Sequence, residues 1–101
     1  MSFQHLSDKM SALKDQMHAI DQKIQAIEVT KETGVGMVKV TMNGHKKVLD
    51  IDIDPDLLKV DAQIMLQDLV IAAINLAVDD VVEQVKAVQQ QLSSDLFSSL
   101  I

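Results

Sequence analysis

The chain has 101 residues, of which 48% are apolar, and it carries a formal charge of −6. That length suffices for one domain, residues 1–101, with a modest core. Cysteine and arginine are absent, which excludes disulfides, zinc–thiolate sites, thiol catalysis and bidentate guanidinium recognition of phosphate. We expect a cytoplasmic protein without a signal peptide or membrane span, because no apolar run approaches the roughly 18 residues that a span requires.

The first quarter of the chain carries an apolar stripe with steps of three and four residues, the spacing of a coiled-coil seam. The positions between are nearly all polar, which predicts a helix from about Ser2 to Glu28. A narrow stripe on an otherwise polar helix needs a partner helix to cover it. The stripe consists of Phe3, Leu6, Met10, Leu13, Met17, Ile20, Ile24 and Ile27.

The middle of the chain changes to a period of two, which predicts strands. Val38–Met42 alternates apolar and polar residues, Leu49–Ile53 alternates apolar and acidic residues, and Val29–Thr33 is rich in β-formers. Asn43-Gly44 predicts a hairpin because both residues tolerate positive φ. Gly34-Val35-Gly36 is interpreted as a bulge or tight turn, since a phosphate-binding glycine loop would be followed by a helix. We expect a three-stranded antiparallel meander.

A long second helix is predicted from Asp61, interpreted as its N-cap, to Ile101, because no Gly or Pro interrupts this segment. Pro55 favours a short helical turn before it. The first part of the helix is expected to cover the sheet, through Leu66, Leu69, Val70, Ala72, Ala73, Ile74 and Ala77. A second stripe, again with steps of three and four, follows Ile71, Ile74, Val78, Val81, Val85, Val88 and Leu92.

The two predicted helices are too long for a compact chain. A helix of about 35 residues spans about 50 Å, whereas a compact domain of 100 residues has a radius of gyration near 13 Å. The sequence therefore predicts an α+β protomer of the order α-β-β-β-α that dimerises, with its apolar seams closed within or between chains. The residues assigned to the seams are Met10, Leu13, Met17, Ile20, Ile24, Ile27, Val81, Val85, Val88 and Leu92.

Catalytic and metal chemistry find little support in the sequence. The acidic run from Asp50 to Asp61 imitates a calcium loop, but Pro55 occupies the position at which such a loop requires glycine. His5, His18 and His45 lack ligand partners at helical or strand spacing, and we interpret them as solvated or as lying at the rim of the dimer. We predict that the protein is not an enzyme and uses no cofactor or metal.

Three segments together resemble the YbaB/EbfC family of nucleoid-associated proteins. They are Val29–Gly44, Ile51–Leu58 and Leu66–Ala77, preceded by the heptad helix, and the resemblance covers roughly residues 5 to 90. It implies an α-β-β-β-α protomer, a tweezer-like homodimer and binding to duplex DNA with little sequence preference in the bacterial cytoplasm and nucleoid. No catalysis is attributed to the family.

Lysines are the candidate DNA contacts, because phosphate contacts dominate nucleic-acid affinity. Charge is unevenly distributed: residues 29–50 are net basic, whereas residues 51–101 are strongly acidic. The alternative is therefore a dimeric protein–protein interaction module, an acidic paralogue that pairs with itself or a related protein and binds DNA weakly or not at all. The candidate DNA-binding residues are Lys9, Lys14, Lys23, Lys31, Lys39, Lys46 and Lys47.

Overall fold

The computed structural model describes residues 3–100, with the side chain of Leu100 left out. Its elements are helix α1 (Phe3–Ala26), strands β1 (Glu28–Thr33), β2 (Val38–Asn43) and β3 (Val48–Ile53), and helix α2 (Gln63–Leu100). This order confirms the predicted α+β protomer with two long helices. Ser2 and Ile101, the outer ends predicted for the helices, lie outside the described residues.

The three strands form one antiparallel sheet in the order β1-β2-β3, as predicted. Val29 pairs with Met42, and Val38 pairs with Thr33 on one side and Ile53 on the other. Because side chains alternate across a strand, these pairs direct one apolar face of the sheet toward α2. That face and the near side of α2 form the buried core: Val29, Val38, Val40, Met42, Leu57, Ala73, Ala77 and Val81.

Helix α2 lies mainly over β1 and β2. Ala73 and Ala77 are fully buried, and their small side chains allow close approach of helix and sheet. The Thr33 hydroxyl donates a hydrogen bond of 2.8 Å to the Leu69 carbonyl, which ties β1 to the helix. Ala72 was predicted to cover the sheet, and that prediction is wrong: it is exposed, since one residue's step of about 100° carries it off the buried face.

The entry to α2 differs from the prediction. A 3₁₀ turn at Pro55–Leu57 is capped by the Asp54 side chain, which accepts a 2.9 Å hydrogen bond from the Asp56 amide. A second 3₁₀ turn at Val60–Ala62 precedes the helix, and Asp61 lies inside it. The assignment of Asp61 as N-cap is therefore wrong, because this tight turn carries the chain past Asp61 before α2 begins at Gln63.

Both hairpins form, but the second uses a different turn from the one predicted. In the first, Gly34, Val35 and Gly36 all have positive φ, which confirms a tight turn. In the second, Lys46 is the residue with positive φ, at 64°. Asn43 instead organises the turn through its side-chain oxygen, which accepts hydrogen bonds from the amides of His45 (2.9 Å) and Lys47 (3.1 Å).

Gly44 has a different role from the one predicted for it. The glycine is buried, and a Cβ added to it would collide with the carbonyl oxygen of Ile24. The absence of a side chain therefore allows the β2–β3 turn to lie directly against the end of α1. This contact joins α1 to the sheet.

The molecule is elongated, measuring 73 × 22 × 15 Å, with a radius of gyration of 20.2 Å. A compact chain of this length has a radius of gyration near 13 Å. No described residue of α1 is buried. We call α1 together with residues 86–100 of α2 the arm, because these segments extend beyond the sheet.

Candidate nucleic-acid interface

The apolar stripe on α1 divides into two parts. Toward the sheet, Ile20, Ile24 and Ile27 are partly buried. Toward the N-terminus, the side chains are largely exposed, for example Met10 at 60% and Met17 at 62%. The exposed part of the stripe comprises Phe3, Leu6, Met10, Leu13 and Met17.

The predicted seam on α2 also divides. Val81 is fully buried in the core and Val85 packs against it. Farther along the arm, Val88 and Leu92 line a cavity of about 260 Å³ together with Ile20 of α1. Part of the predicted seam is therefore brought together within one chain, whereas Met10, Leu13 and Met17 remain uncovered.

Two of the seven candidate lysines are held by acids of the same chain. The Lys31 ammonium lies 3.1 Å from a carboxylate oxygen of Asp80, and the Lys39 ammonium lies 3.7 Å from Glu32. Hydrogen bonding from Lys31, and then from Gln84, holds the pKa of Asp80 below its usual 3.8. Lys31 therefore ties β1 to α2.

The other five candidates, Lys9, Lys14, Lys23, Lys46 and Lys47, form no ion pair with any acid within residues 3–100. On α1, the heptad places Lys9, Lys14 and Lys23 at the positions that flank the apolar stripe. Asp21 also flanks the stripe, but it lies 3.3 Å from His45 of the β2–β3 turn. Lys46 and Lys47 belong to that same turn, beside the end of α1.

The outer face of the sheet, which faces away from α2, is acidic. The strand register brings Glu32 opposite Lys39, and Lys39 in turn opposite Asp52. Glu28 and Asp50 point to the same face by alternation. With four acids and a single lysine that is already paired with Glu32, this face repels phosphate.

An open groove of about 410 Å³ lies where α1, the β2–β3 turn and α2 meet. Its apolar lining includes Ile24 and Val85, and its polar lining includes His45, Lys46 and Lys86. Lys86 also lies 3.6 Å from Glu83 on its own helix, with a side chain 60% exposed. The groove thus collects cationic and polar groups from separate elements.

His45 and Lys86 were missed as site residues by sequence reasoning. His45 was interpreted as solvated, and Lys86 lies in the acidic final segment. The one local signal for Lys86 is its position four residues after Val82, which places both on one helix face. Nothing in the sequence places that face next to the turn at residues 43–47.

A second apolar surface lies along β3. Helix α2 leaves Val48 and Ile51 of this strand exposed, even though they share the inner face of the sheet with buried residues. Ile71 of α2 is also exposed, and it lines a cavity of about 370 Å³ together with Ile53. We call Val48, Ile51, Ile53 and Ile71 the β3–α2 surface.

The acidic run near Asp54 does not form a metal site. Within residues 3–100, no three His, Cys, Asp or Glu side chains come together in an arrangement that could hold a metal ion. Asp54 instead caps the 3₁₀ turn. Among the same residues, neither helix has a stretch apolar enough to span a bilayer.

The fold and its charges define a small α+β protein with a lysine-flanked helical arm. The chain belongs to the YbaB/EbfC DNA-binding family, which matches residues 1–96. It is 40% identical over 95 residues to a nucleoid-associated protein of Chlorobium phaeobacteroides, covering 91% of this chain and 81% of that relative. It is 36% identical over 96 residues to a nucleoid-associated protein of Pelodictyon phaeoclathratiforme, covering 92% and 82%.

A solved structure shares the fold. The crystal structure of an uncharacterized protein from Helicobacter pylori aligns with a TM-score of 0.63 and 26% identity, covering 100% of this chain and 99% of that one. The agreement extends over both long helices and the sheet. The family suggested by the sequence motifs is therefore confirmed, and so is the predicted fold.

Proposed function

We propose that this protein is a nucleoid-associated protein of the bacterial cytoplasm that binds duplex DNA as a homodimer with little sequence preference. Membership of a DNA-binding family supports the DNA partner, and the similarity to two nucleoid-associated proteins supports the nucleoid location. No catalytic step is part of the proposal. The residues that would contact DNA are the five candidates that form no ion pair among residues 3–100, namely Lys9, Lys14, Lys23, Lys46 and Lys47.

The observation that carries this proposal is the separation of charge within a chain whose overall charge is −6. On α1, Lys9, Lys14 and Lys23 flank the apolar stripe, whereas the heptad places Asp8 and Asp15 on the opposite side of the helix. The lysines of the β2–β3 turn continue this basic side toward the sheet. Phosphate contact is therefore favoured on one side of the arm and opposed on the outer face of the sheet.

Low sequence preference follows from the chemistry of the contacts. An ammonium group acts as a point charge toward a phosphate, whereas base readout typically uses Arg, Asn or Gln in bidentate hydrogen bonds. The chain has no arginine. Backbone contacts made by lysine position a duplex without reading its sequence.

DNA binding is tested by gel-shift titration at several salt concentrations. Each phosphate contact contributes about 0.9 to the slope of log affinity on log salt, so Lys9→Gln with Lys14→Gln should weaken binding and flatten the slope by up to about 1.8 per protomer. The matched control is Lys39→Gln, whose lysine lies on the outer face of the sheet between Glu32 and Asp52. Absence of any shift by the parent at low salt would exclude the proposed function.

The homodimer is proposed to form through the β3–α2 surface. Among residues 3–100, no strand lies beside the edge of β3 that faces away from β2, and open edges with apolar side chains favour association with another strand. Val48 and Ile51 are exposed along this strand, and exposed Ile71 lines a cavity together with Ile53 of the same strand, so a second copy would cover apolar side chains of both β3 and α2. Part of the α1–α2 seam, by contrast, is already closed within the chain.

Ile71→Glu tests this interface. A carboxylate in an apolar interface costs several kcal/mol, by the general penalty for burying an unpaired charge, so sedimentation should report a monomer for this variant and a dimer for the parent. The matched control is Leu76→Glu, which is exposed on the same helix but points about 140° away. A parent that sediments as a monomer would contradict the proposed homodimer.

The second candidate function is a dimeric interaction module that binds protein instead of DNA. The acidic charge favours it, and so does the exposed stripe from Phe3 to Met17, which is suited to cover by another amphipathic helix. This function predicts a weak DNA shift or none, even at low salt concentration. It also predicts that Leu13→Glu abolishes binding to a related family member, measured by co-purification.

A further inference from the structure

We propose that the groove between α1, the β2–β3 turn and α2 is where a phosphodiester of the DNA backbone is held, with Lys46 and Lys86 as its cationic contacts. This proposal rests on the proposed function, and it adds Lys86, a residue of the acidic final helix, to the DNA-binding set. The ligand chemistry is one backbone phosphate of duplex DNA.

Side chains from separate elements converge at the groove. Lys46 comes from the turn and Lys86 from α2, 40 positions later in the chain, yet both line the same groove of about 410 Å³. Gln89 lines it as well and offers an amide donor. A phosphate accepts hydrogen bonds from several directions, so donors converging from two sides suit it better than a row along one helix.

Two acids, Asp21 and Glu83, lie close to residues that line the groove. A carboxylate oxygen of Asp21 lies 3.3 Å from Nε2 of the groove residue His45. Glu83 lies 3.6 Å from the Lys86 ammonium, and both side chains are well exposed. Such a solvated pair has little net strength, so Lys86 can exchange Glu83 for a phosphate at small cost.

The backbone at Lys46 has an unfavourable conformation for a residue other than glycine. Its φ of 64° lies in the left-handed region, where a residue with a Cβ is less stable than glycine. Strain of this kind is concentrated at functional sites. A lysine at this position directs a cationic side chain to the groove, which glycine would not do.

The backbone at Lys46 provides a test that separates binding from folding. Lys46→Gly removes the ammonium group and relieves the strain, so the thermal midpoint should stay equal or rise while DNA binding weakens. If Lys46 had only a structural role, the thermal midpoint and DNA binding would not change in opposite directions. The matched control is Val35→Gly, which makes the same change at the other hairpin, where φ is 57°, without removing a charge.

Lys86 is tested by Lys86→Gln, which removes the positive charge and leaves a slightly shorter polar side chain. Its control is Lys59→Gln, which removes the same charge from an exposed residue between Asp56 and Asp61. Each groove variant should flatten the salt slope by about 0.9 per protomer, and neither control should change it. Sedimentation of every variant checks that it has the same oligomeric state as the parent.

The outcomes distinguish the groove from the function. If the parent binds duplex DNA and both Lys46→Gly and Lys86→Gln retain its affinity and salt slope, the groove proposal is overturned and the proposed function stands. If Lys59→Gln weakens binding as much as Lys86→Gln, the effect is one of overall charge and the groove is again excluded. If the parent binds no DNA at low salt, both proposals fail together.

Discussion

The sheet half of the molecule and the arm each have an apolar side set by the period of their own elements, but they bury it to different extents. In the sheet half, Val38 and Val40 are completely buried by α2. In the arm, Leu13 is 51% exposed although it lies on the apolar stripe of α1. The difference shows that an amphipathic pattern specifies which side will be covered, whereas coverage depends on whether the chain returns to that side.

The two halves contribute unequally to stability. The free energy of unfolding of one chain must come mainly from the sheet half, because that is where apolar area leaves water. The arm contributes surface for a partner or for DNA. Substitutions confined to the sheet half, to the arm or to their junction can therefore test each region separately.

Leucine-to-alanine substitutions in the two halves should have the largest and most unequal effects. Leu57 is 2% exposed and lies in the core. Leu57→Ala should lower the free energy of unfolding by about 2–5 kcal/mol, because apolar burial is lost and a cavity remains. Leu13→Ala should remain within about 0.5 kcal/mol of the parent, as is usual for exposed positions. Urea unfolding measures both, and similar losses would show that the arm is as well packed as the core.

The junction of the two halves is tested by Gly44→Ala. The added methyl group collides with the Ile24 carbonyl, so α1 must move away from the turn, at a cost of about 1–3 kcal/mol for overpacking. Thermal unfolding measures the loss, and faster hydrogen exchange of the α1 amides near Ile24 would locate it. An unchanged melting midpoint would mean that the contact between the turn and α1 is loose.

The first hairpin offers a smaller, stabilising change. Val35 is fully exposed and has a φ of 57°, a conformation unfavourable for a β-branched residue. Val35→Asn should raise the unfolding free energy by up to about 1 kcal/mol, because asparagine tolerates the left-handed region. A lower melting temperature would indicate that Val35 makes a contact outside the single chain, and sedimentation would identify a second copy as the source.

The smallest expected effect is the pH dependence at the link between β1 and α2. The pKa of Asp80 is lowered chiefly by the hydrogen bond from Lys31, so the carboxylate is favoured in the folded state. Its stabilisation is fully present above the ordinary pKa of 3.8 and is lost as pH falls through the lowered value. Asp80→Asn should therefore melt below the parent at neutral pH and approach it in acid.

The pH comparison has its own control. Asp95→Asn removes an exposed acid of the arm that forms no ion pair with a lysine among residues 3–100. The gap between parent and this variant should change less with pH. Melting curves of the parent and Asp80→Asn that stay parallel from neutral pH down to about pH 3 would contradict a stabilising Lys31–Asp80 pair.

Much of the fold could be predicted from local pattern. The steps of three and four residues identified α1, the alternation around Val38 and Ile51 identified strands, and the unbroken final segment identified α2. The errors fall where local signals compete. Asp61 is a good N-cap residue by type, but the 3₁₀ turn contains it, and Asn43 is a good left-handed residue but serves as a hydrogen-bond acceptor.

The candidate site was less predictable from the same patterns. Lysines on α1 could be placed beside the stripe because the helix period is local. Whether a given lysine is free depends on which acid lies next to it, and Asp80 is distant from Lys31 in the chain. The same holds for Lys86, whose relation to Lys46 exists only where α2 passes the turn.

Periodicity and turn chemistry act over a few residues, so the elements, their order, the family and the apolar side of each helix could be inferred from local signals in the chain. Which apolar surfaces stay exposed, and which lysines lack an acid partner among residues 3–100, depends on how the elements pack. The lateral position of α2, set by close packing of Ala73 and Ala77 on the sheet, is the main cause. That position brings Asp80 to Lys31, leaves Val48 and Ile51 of β3 exposed and places Lys86 beside the turn that carries Lys46.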